Sequence, residues 1–147
     1  MEKTRFRITN QKLIDNFIDF VNSISSKNNR TKDSKEKNDR IAILHDADAD
    51  GITSAIILEK SLERLNKNVV FTSNEVAKRK RLDKEIYEQL KKKKVTHVFV
   101  LDMAMDMTKD SIDFLKEFKT VEIDHHPSGE FLNQKIMFIK PQFFTDL

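Results

Sequence analysis

Short apolar segments alternate with amphipathic helical patterns along most of the chain. Five segments have the length and apolar content of buried strands, namely 40–44, 69–72, 95–101, 120–123 and 135–139. Apolar residues at helical spacing fill the gaps between the first four, over 52–66, 82–94 and 109–118. Strands that alternate with helices favour right-handed crossovers. We therefore predict an α/β fold with a parallel β-sheet sandwiched by helices.

The residues before this alternation divide into a helix and a polar segment. Apolar residues recur at helical spacing after Thr9 or Asn10, which predicts an amphipathic N-terminal helix within residues 1–26. Residues 27–39 have only polar and charged side chains, so we predict a flexible linker there. The main domain then occupies residues 40–147.

The composition limits the cellular setting. The chain has no Cys, and charged residues make up 35% of it. The lack of Cys excludes disulfides and Cys-type zinc sites, and it fits a reducing cytoplasm. No apolar run approaches the roughly 20 residues that span a bilayer. We therefore expect a soluble, cytoplasmic protein that does not use a membrane.

Three of the predicted strands end in side chains that can bind a metal ion. These side chains are His45 and Asp46 after the first strand, Asp102 after the third, and Asp124, His125 and His126 after the fourth. Ligands of open parallel sheets bind beyond the carboxyl ends of the strands. The acidic and imidazole groups should therefore meet at one sheet edge as a divalent-metal site.

The loop after the first strand carries Asp46, Asp48 and Asp50, followed by Gly51. A turn into the next helix can gather two or three of these carboxylates around a cation, and hard oxygen ligands suit Mg²⁺ or Mn²⁺. Asp50 as a helix N-cap is the alternative, but it accounts for only one of the three. An EF-hand is excluded because the loop has no Glu at the twelfth position.

The start of the same helix is also suited to phosphate. Free backbone N–H groups and the positive end of the helix dipole lie there, with Gly51, Thr53 and Ser54 as candidate phosphate or substrate contacts. Gly51 and Gly129 are the only glycines of the chain. Both lie beside a ligand cluster, where a tight turn or a close approach of a ligand would need glycine.

Asp102, which follows the third strand, is a candidate ligand that bridges two ions, with turn capping as the alternative. Met103, Met105 and Met107 come directly after it. A thioether metal site is one interpretation of this run. Methionine more often fills irregular packing, which is the interpretation we favour.

Asp124, His125 and His126 form an unusual sequence at the end of a strand. Adjacent side chains diverge, so one imidazole can bind metal while the other meets substrate. His97 lies inside the third predicted strand without an acidic neighbour. We assign it no catalytic role.

A basic strip, residues 78–94, carries nine Lys or Arg residues against three acidic ones. A polyanionic substrate held by this strip would be cut at the acidic cluster, with Arg79, Arg81, Lys92 and Lys93 as phosphate contacts. A solvated helix face is the other interpretation, and it is the commoner one for a charge run.

The motif residues closely resemble those of the DHH phosphoesterase superfamily. Residues 46–55 (DADADGITSA) resemble its first motif, Asp102 its second, and residues 124–126 the Asp-His-His that gives the superfamily its name. The order of the motifs and the lengths between them agree over residues 40–145. Within the superfamily the chain is most similar to archaeal RecJ-like exonucleases, a group that associates with GINS in the replication machinery.

By this resemblance, the chain binds two Mn²⁺ or Mg²⁺ ions. The implied ligands are Asp46, Asp48, Asp50, Asp102 between the ions, and His125, with His45 competing with Asp46 for one position. The resemblance implies that Asp124 orients the adjacent imidazole and that His126 touches the scissile phosphate.

The implied activity is that of a metal-dependent phosphodiesterase similar to single-strand-specific exonucleases, acting on single-stranded nucleic acid or short oligonucleotides. A non-catalytic replication or repair scaffold that binds a protein partner such as GINS is the alternative. The family continues past the fifth strand to a fourth motif, which supplies another Asp, and to a C-terminal substrate-binding domain. We therefore expect residues 40–147 to be a partial DHH domain with a weakly bound second ion. It is either one half of a split or truncated enzyme, completed by a separate C-terminal subunit, or a reduced non-catalytic member.

Overall fold

The computed structural model describes residues 10–27, 38–79, 81–127 and 129–140, without the side chains of 78 and 79. Its elements in chain order are α1 (Gln11–Ser23), β1 (Ile41–His45), α2 (Ala49–Arg64), β2 (Val69–Ser73), α3 (Glu75–Arg79), α4 (Lys84–Lys92), β3 (His97–Leu101), a 3₁₀ turn (Met105–Met107), α5 (Lys109–Leu115), β4 (Lys119–Ile123) and β5 (Ile136–Ile139).

The strands form one parallel sheet in the order β2-β1-β3-β4-β5, which confirms the predicted α/β fold. The last residues of four neighbouring strands pair in a single row, which contains His45, Leu101, Ile123 and Ile139. The residues that come after these strands therefore begin side by side. We call this side of the sheet the carboxyl edge.

The strand order places a crevice at the carboxyl edge between β1 and β3. After β1 the chain moves to β2 on one side, and it then returns to β3 on the other side of β1. Connections that leave in opposite directions open a crevice above the two strands, where open α/β sheets bind their ligands. Asp46 directly follows β1 and Asp102 directly follows β3, so the two residues lie on either side of this crevice.

Helices cover both faces of the sheet. Side chains of α1 and α2, among them Phe17 and Leu62, pack with Ile41 and Ile43 on one face. The other face of the same strand packs against α3, α4 and α5. Every residue of β1 and β3 is buried, as expected for central parallel strands, whose two faces are both covered.

Helix α2 begins three residues before the predicted position 52, because Asp48 caps it. The Asp48 carboxylate accepts a hydrogen bond from Gly51 N at 2.9 Å. The predicted apolar face of this helix is only partly correct. Ala55 and Leu62 are buried, whereas Ile57 is 68% exposed, together with Ile56 and Leu65.

Ring contacts fix helix α1 to the sheet, and hydrogen bonds join the residues after α1 to those before β1. Phe20 meets Phe99 edge-on with ring centroids 5.6 Å apart. Ser25 N donates to the Asp39 carboxylate at 2.9 Å, and Asp39 N donates back to Ser25 Oγ at 3.0 Å. Most of the predicted linker lies outside the described residues, so the division into residues 1–26, 27–39 and 40–147 stays a prediction.

Among the described residues, every helix is too short or too polar to cross a bilayer. The cytoplasmic location stays a prediction from the sequence.

Candidate metal centre

Four side chains with metal-binding groups meet at the carboxyl edge. Asp102, Asp124, His125 and His126 each present a ligand atom, and these atoms all lie within 4.8 Å of one another. The sheet ladder continues into this group, since Asp102 N donates to Ile123 O at 2.9 Å. Strand register thus brings Asp102 next to the Asp124–His126 motif, although the two are far apart in sequence.

Asp102 has the geometry and the environment of a cation ligand. It has a positive φ of 59°, a conformation that Asp tolerates but that commonly marks a functional position. Its side chain is buried, and neither carboxylate oxygen receives a hydrogen bond. Burial, and then the charge of Asp48, raise the pKa of Asp102 above its ordinary value. A bound divalent cation would neutralise this buried carboxylate, so the site fits the metal that the sequence predicts.

His125 is the nearest imidazole to that carboxylate. Its Nε2 lies 2.9 Å from Asp102 Oδ1, and its side chain is well exposed. A carboxylate and an imidazole that face one another from two strands form a donor set for Mn²⁺ and other first-row metals. The structure therefore places His125 where the sequence predicts a ligand.

Asp124 orients His126. Asp124 Oδ1 lies 2.6 Å from His126 Nδ1, which leaves Nε2 as the other ring nitrogen able to meet a ligand. The hydrogen bond to Asp124 raises the pKa of His126. Burial raises the pKa of Asp124, but its bonds to His126 and Lys140 outweigh burial and hold it below its ordinary value. The pair therefore keeps Asp124 ionised and favours a protonated His126.

The carboxylates of the first motif surround the cluster at unequal distances. Asp46 lines the same cavity as Asp102 and His126, a space of about 480 Å³. Asp48 is close enough to raise the pKa of Asp102. Asp50 lies in the first turn of α2 and is exposed, so the N-cap is Asp48 and the N-cap alternative for Asp50 is wrong. None of the three belongs to the tight group of four.

The helix start offers fewer free donors than the sequence suggests. Gly51 N is bonded to Asp48, and the Thr53 hydroxyl donates to Ala49 O at 2.7 Å. Ser54 is half-buried in the second turn, beyond the free N–H groups. The cap carboxylate thus occupies part of the anion site that we predicted for phosphate.

His45 is the last residue of β1 and is buried. Its Nδ1 lies 2.6 Å from the Asp46 carbonyl oxygen, and the residue is not part of the group of four. The structure does not bring it to the centre, so its role as a metal ligand stays a prediction.

Both glycines allow two backbone segments to touch. A Cβ on Gly51 would lie 2.5 Å from the Asp46 carbonyl oxygen, and a Cβ on Gly129 would collide with the backbone of Asp106. Neither glycine has a positive φ. Close approach of backbone to backbone, rather than a left-handed turn or a ligand, explains both positions.

The basic strip does not lie beside the centre as one unit. Helix α4 runs from the carboxyl edge back to the start of β3, so Arg81 and Lys93 lie at opposite ends of it. Lys93 O accepts a hydrogen bond from Arg40, which precedes β1, at 2.6 Å. Strands of five residues are about 16 Å long. Lys92 and Lys93 therefore lie far from the centre. Their predicted contact with the phosphates of a nucleic acid stays a prediction, and the side chain of Arg79 lies outside the described part of the chain.

His97 lies at that same distant end. It does have an acidic neighbour, contrary to our expectation, because Asp39 Oδ1 lies 3.8 Å from its Nδ1. Its ring also meets Phe20 edge-on. These contacts join α1 to the sheet far from the metal centre, in keeping with a structural role.

A buried charge cluster beneath Asp124 was not predicted. Lys140, the residue after β5, places its Nζ 2.8 Å from Asp106 Oδ1, 3.1 Å from Asp124 Oδ2 and 3.5 Å from Glu122 Oε1. All four side chains are fully buried. Burial lowers the pKa of Lys140, but Asp106, Glu122 and Asp124 outweigh it and raise the pKa overall. The one feature of the sequence that could have indicated this cluster is Glu122, a charged residue within an apolar strand.

Glu122 should make the stability of the fold fall with rising pH. Burial raises its pKa from 4.5 to about 8. Between these values the folded chain holds a proton that the unfolded chain has released, so stability decreases as pH rises through this window. Glu122→Gln should remove this component, up to about 1.4 kcal/mol per pH unit.

Urea unfolding of both proteins between pH 5 and 8 measures the difference. Glu88→Gln is a matched control, because Glu88 is an exposed residue on α4. Parallel pH profiles for wild type and Glu122→Gln would contradict the assignment.

Comparison with known families agrees with this geometry. The model of the DHH family, N-terminal domain, matches residues 40–144. The comparison with curated proteins found no match. The matched region contains the whole sheet and the entire metal centre, and members of this family are generally divalent-metal-dependent phosphoesterases. The chain therefore belongs to the DHH family, and residues 40–144 are its N-terminal DHH domain.

Proposed function

We propose that this protein hydrolyses phosphodiester bonds in single-stranded nucleic acid or short oligonucleotides with the help of Mn²⁺ or Mg²⁺. The observation that carries this proposal is the buried Asp102 carboxylate, whose oxygens receive no well-aligned hydrogen bond although His125 Nε2 lies 2.9 Å from one of them. Such a carboxylate is costly to keep without a cation. Family membership supports the reaction class.

Asp102 and His125 would hold the first ion, with Asp46 and Asp48 nearest among the first-motif carboxylates. Their hard oxygen and imidazole donors suit Mn²⁺ and Mg²⁺. A divalent ion bound there supplies an activated water and neutralises charge on the phosphate. Asp50 remains a candidate ligand from the sequence.

His126 would act on the substrate itself. Asp124 holds its Nδ1, so the ring presents Nε2 to the cavity that Asp102 also lines. A protonated imidazole in this position donates a hydrogen bond to a phosphate oxygen and stabilises the charge that develops there.

The similarity to RecJ-like exonucleases, the GINS-type partner and a separate C-terminal subunit stay predictions from the sequence. A measurement of hydrolytic activity distinguishes the enzyme from the non-catalytic scaffold.

Hydrolysis of bis-p-nitrophenyl phosphate and of an end-labelled single-stranded oligonucleotide tests the proposal. Wild type should act on both only with Mn²⁺ or Mg²⁺, and His126→Gln should lower kcat by about 10²- to 10⁴-fold. Asp110→Asn, an exposed carboxylate on α5, is the control and should keep full activity. A chain that binds Mn²⁺ yet leaves both substrates intact, alone and with the predicted C-terminal half supplied, would contradict the enzyme and favour the scaffold.

A further inference from the structure

The cavity at the metal centre has one charged wall and one apolar wall. It has a volume of about 480 Å³, and Asp46, Asp102 and His126 form the charged wall. The apolar wall consists of Ala77, Met103, Ala104, Met105 and Met107. Among the described residues that line this cavity there is no Lys or Arg.

The apolar wall is held in place before any ligand arrives. Met103 and Met105 are 4% and 2% exposed and form its floor. Between Met105 and Met107, Asp106 accepts a hydrogen bond from Gly129 N at 2.7 Å and is bonded to Lys140. A wall fixed by a buried ion pair needs little reordering when a ligand binds, which favours affinity.

Met107 stands at the rim of this wall with 59% of its surface exposed. A thioether is polarizable and makes favourable contacts with aromatic rings. Ala77, on α3, faces the cavity with only a methyl group and so leaves room for a flat ligand. The run of methionines, which we expected from the sequence to fill packing, therefore has two buried members and one that is available to a ligand.

We infer that this cavity binds the nucleobase of the nucleotide whose phosphate lies against Asp102 and His126. The inference rests on the proposed function and names its substrate class, a nucleotide phosphodiester rather than an inorganic polyphosphate. A second phosphate in this space would face methyl and thioether groups, at a high desolvation cost and without a cation. A base would cover the apolar wall, and the volume lies within the usual range for small-molecule sites.

The composition of the apolar wall also determines how a nucleobase would be recognised. Its side chains are methyl and thioether groups, which contact the face of a base and do not read its hydrogen-bonding edge. Stacking of this type tolerates any base. The site should therefore bind purine and pyrimidine nucleotides without strong sequence preference.

Calorimetric titration of adenosine 5′-monophosphate and of ribose 5-phosphate, both with excess Mn²⁺, tests the inference. The two probes share the phosphate and sugar, but only the first has a base. Wild type should bind the nucleotide roughly 10-fold more tightly, as expected for stacking one base. Met107→Ala and Ala77→Leu should each remove most of this preference and leave the affinity for ribose 5-phosphate unchanged.

Leu65→Ala is the matched control, because Leu65 is an exposed apolar residue at the far end of α2. It should leave both affinities unchanged. Equal affinity of wild type for the two probes, or an unaltered preference in both cavity variants, would overturn this inference alone. Binding of neither probe would overturn the proposed function as well.

Discussion

Lys140→Met should lower the free energy of unfolding by about 3 to 5 kcal/mol. The Lys140 ammonium is fully buried and lies within 3.5 Å of carboxylate oxygens from Asp106, Asp124 and Glu122. Methionine keeps the approximate length of the side chain and removes the charge. Buried carboxylates would then face one another without a cation, which costs far more than the pair itself contributes.

Denaturation in urea at neutral pH measures this loss. Lys135→Met is the control, since Lys135 is an exposed lysine just before β5 and should change stability by less than about 0.5 kcal/mol. Asp106→Asn should cost less in the Lys140→Met background than in wild type, because the partner charge has gone. A loss below about 1 kcal/mol for Lys140→Met would show that the cluster is not a buried, mutually dependent charge network.

Asp102→Asn should stabilise the metal-free chain and abolish its stabilisation by Mn²⁺. The pKa of Asp102 is raised in the folded state, so the ionised carboxylate opposes folding above its unfolded pKa, and a neutral amide relieves this cost. Asn also tolerates the positive φ at this position. In wild type, Mn²⁺ at 100 times its Kd should add about 2.7 kcal/mol.

Thermal unfolding with and without Mn²⁺ separates the two effects. Asp19→Asn, which changes an exposed carboxylate on α1 beside Phe20 and so near the opposite end of the strands, should keep the wild-type response to the metal. An Asp102→Asn chain that is still stabilised by Mn²⁺ to the wild-type extent would contradict the role of Asp102 as a ligand.

The sequence alone was sufficient to predict the parallel sheet and the meeting of acidic and imidazole side chains at its carboxyl edge. Buried parallel strands read as short apolar runs, and their register brings Asp46, Asp102 and Asp124 to adjacent starting points. The path of the chain beyond each strand end depends on local turns. For this reason Asp46, Asp48 and Asp50, which the sequence predicts as ligands, all lie outside the tight group. His45 is also outside it, because it is still part of β1 and is buried.

Long-range pairing accounts for the features that the sequence did not reveal. Lys140 meets Asp106 across 34 positions, and no local pattern links them. The position of the basic strip could not be predicted either, because the strip spans α4, whose two ends lie at opposite ends of the strands. Helix α3 was missed because its apolar content is confined to Val76 and Ala77, too few for a periodic pattern.

Anomalous diffraction from a crystal soaked in Mn²⁺ is the most direct test of a divalent-metal centre at the carboxyl edge. We expect a strong anomalous peak about 2.0 to 2.6 Å from an Asp102 oxygen and from His125 Nε2, the usual range for ligands of divalent cations. The same peak should be missing from crystals of Asp102→Asn. A wild-type crystal with no Mn²⁺ peak beside Asp102 and His125 would contradict the assignment of this centre.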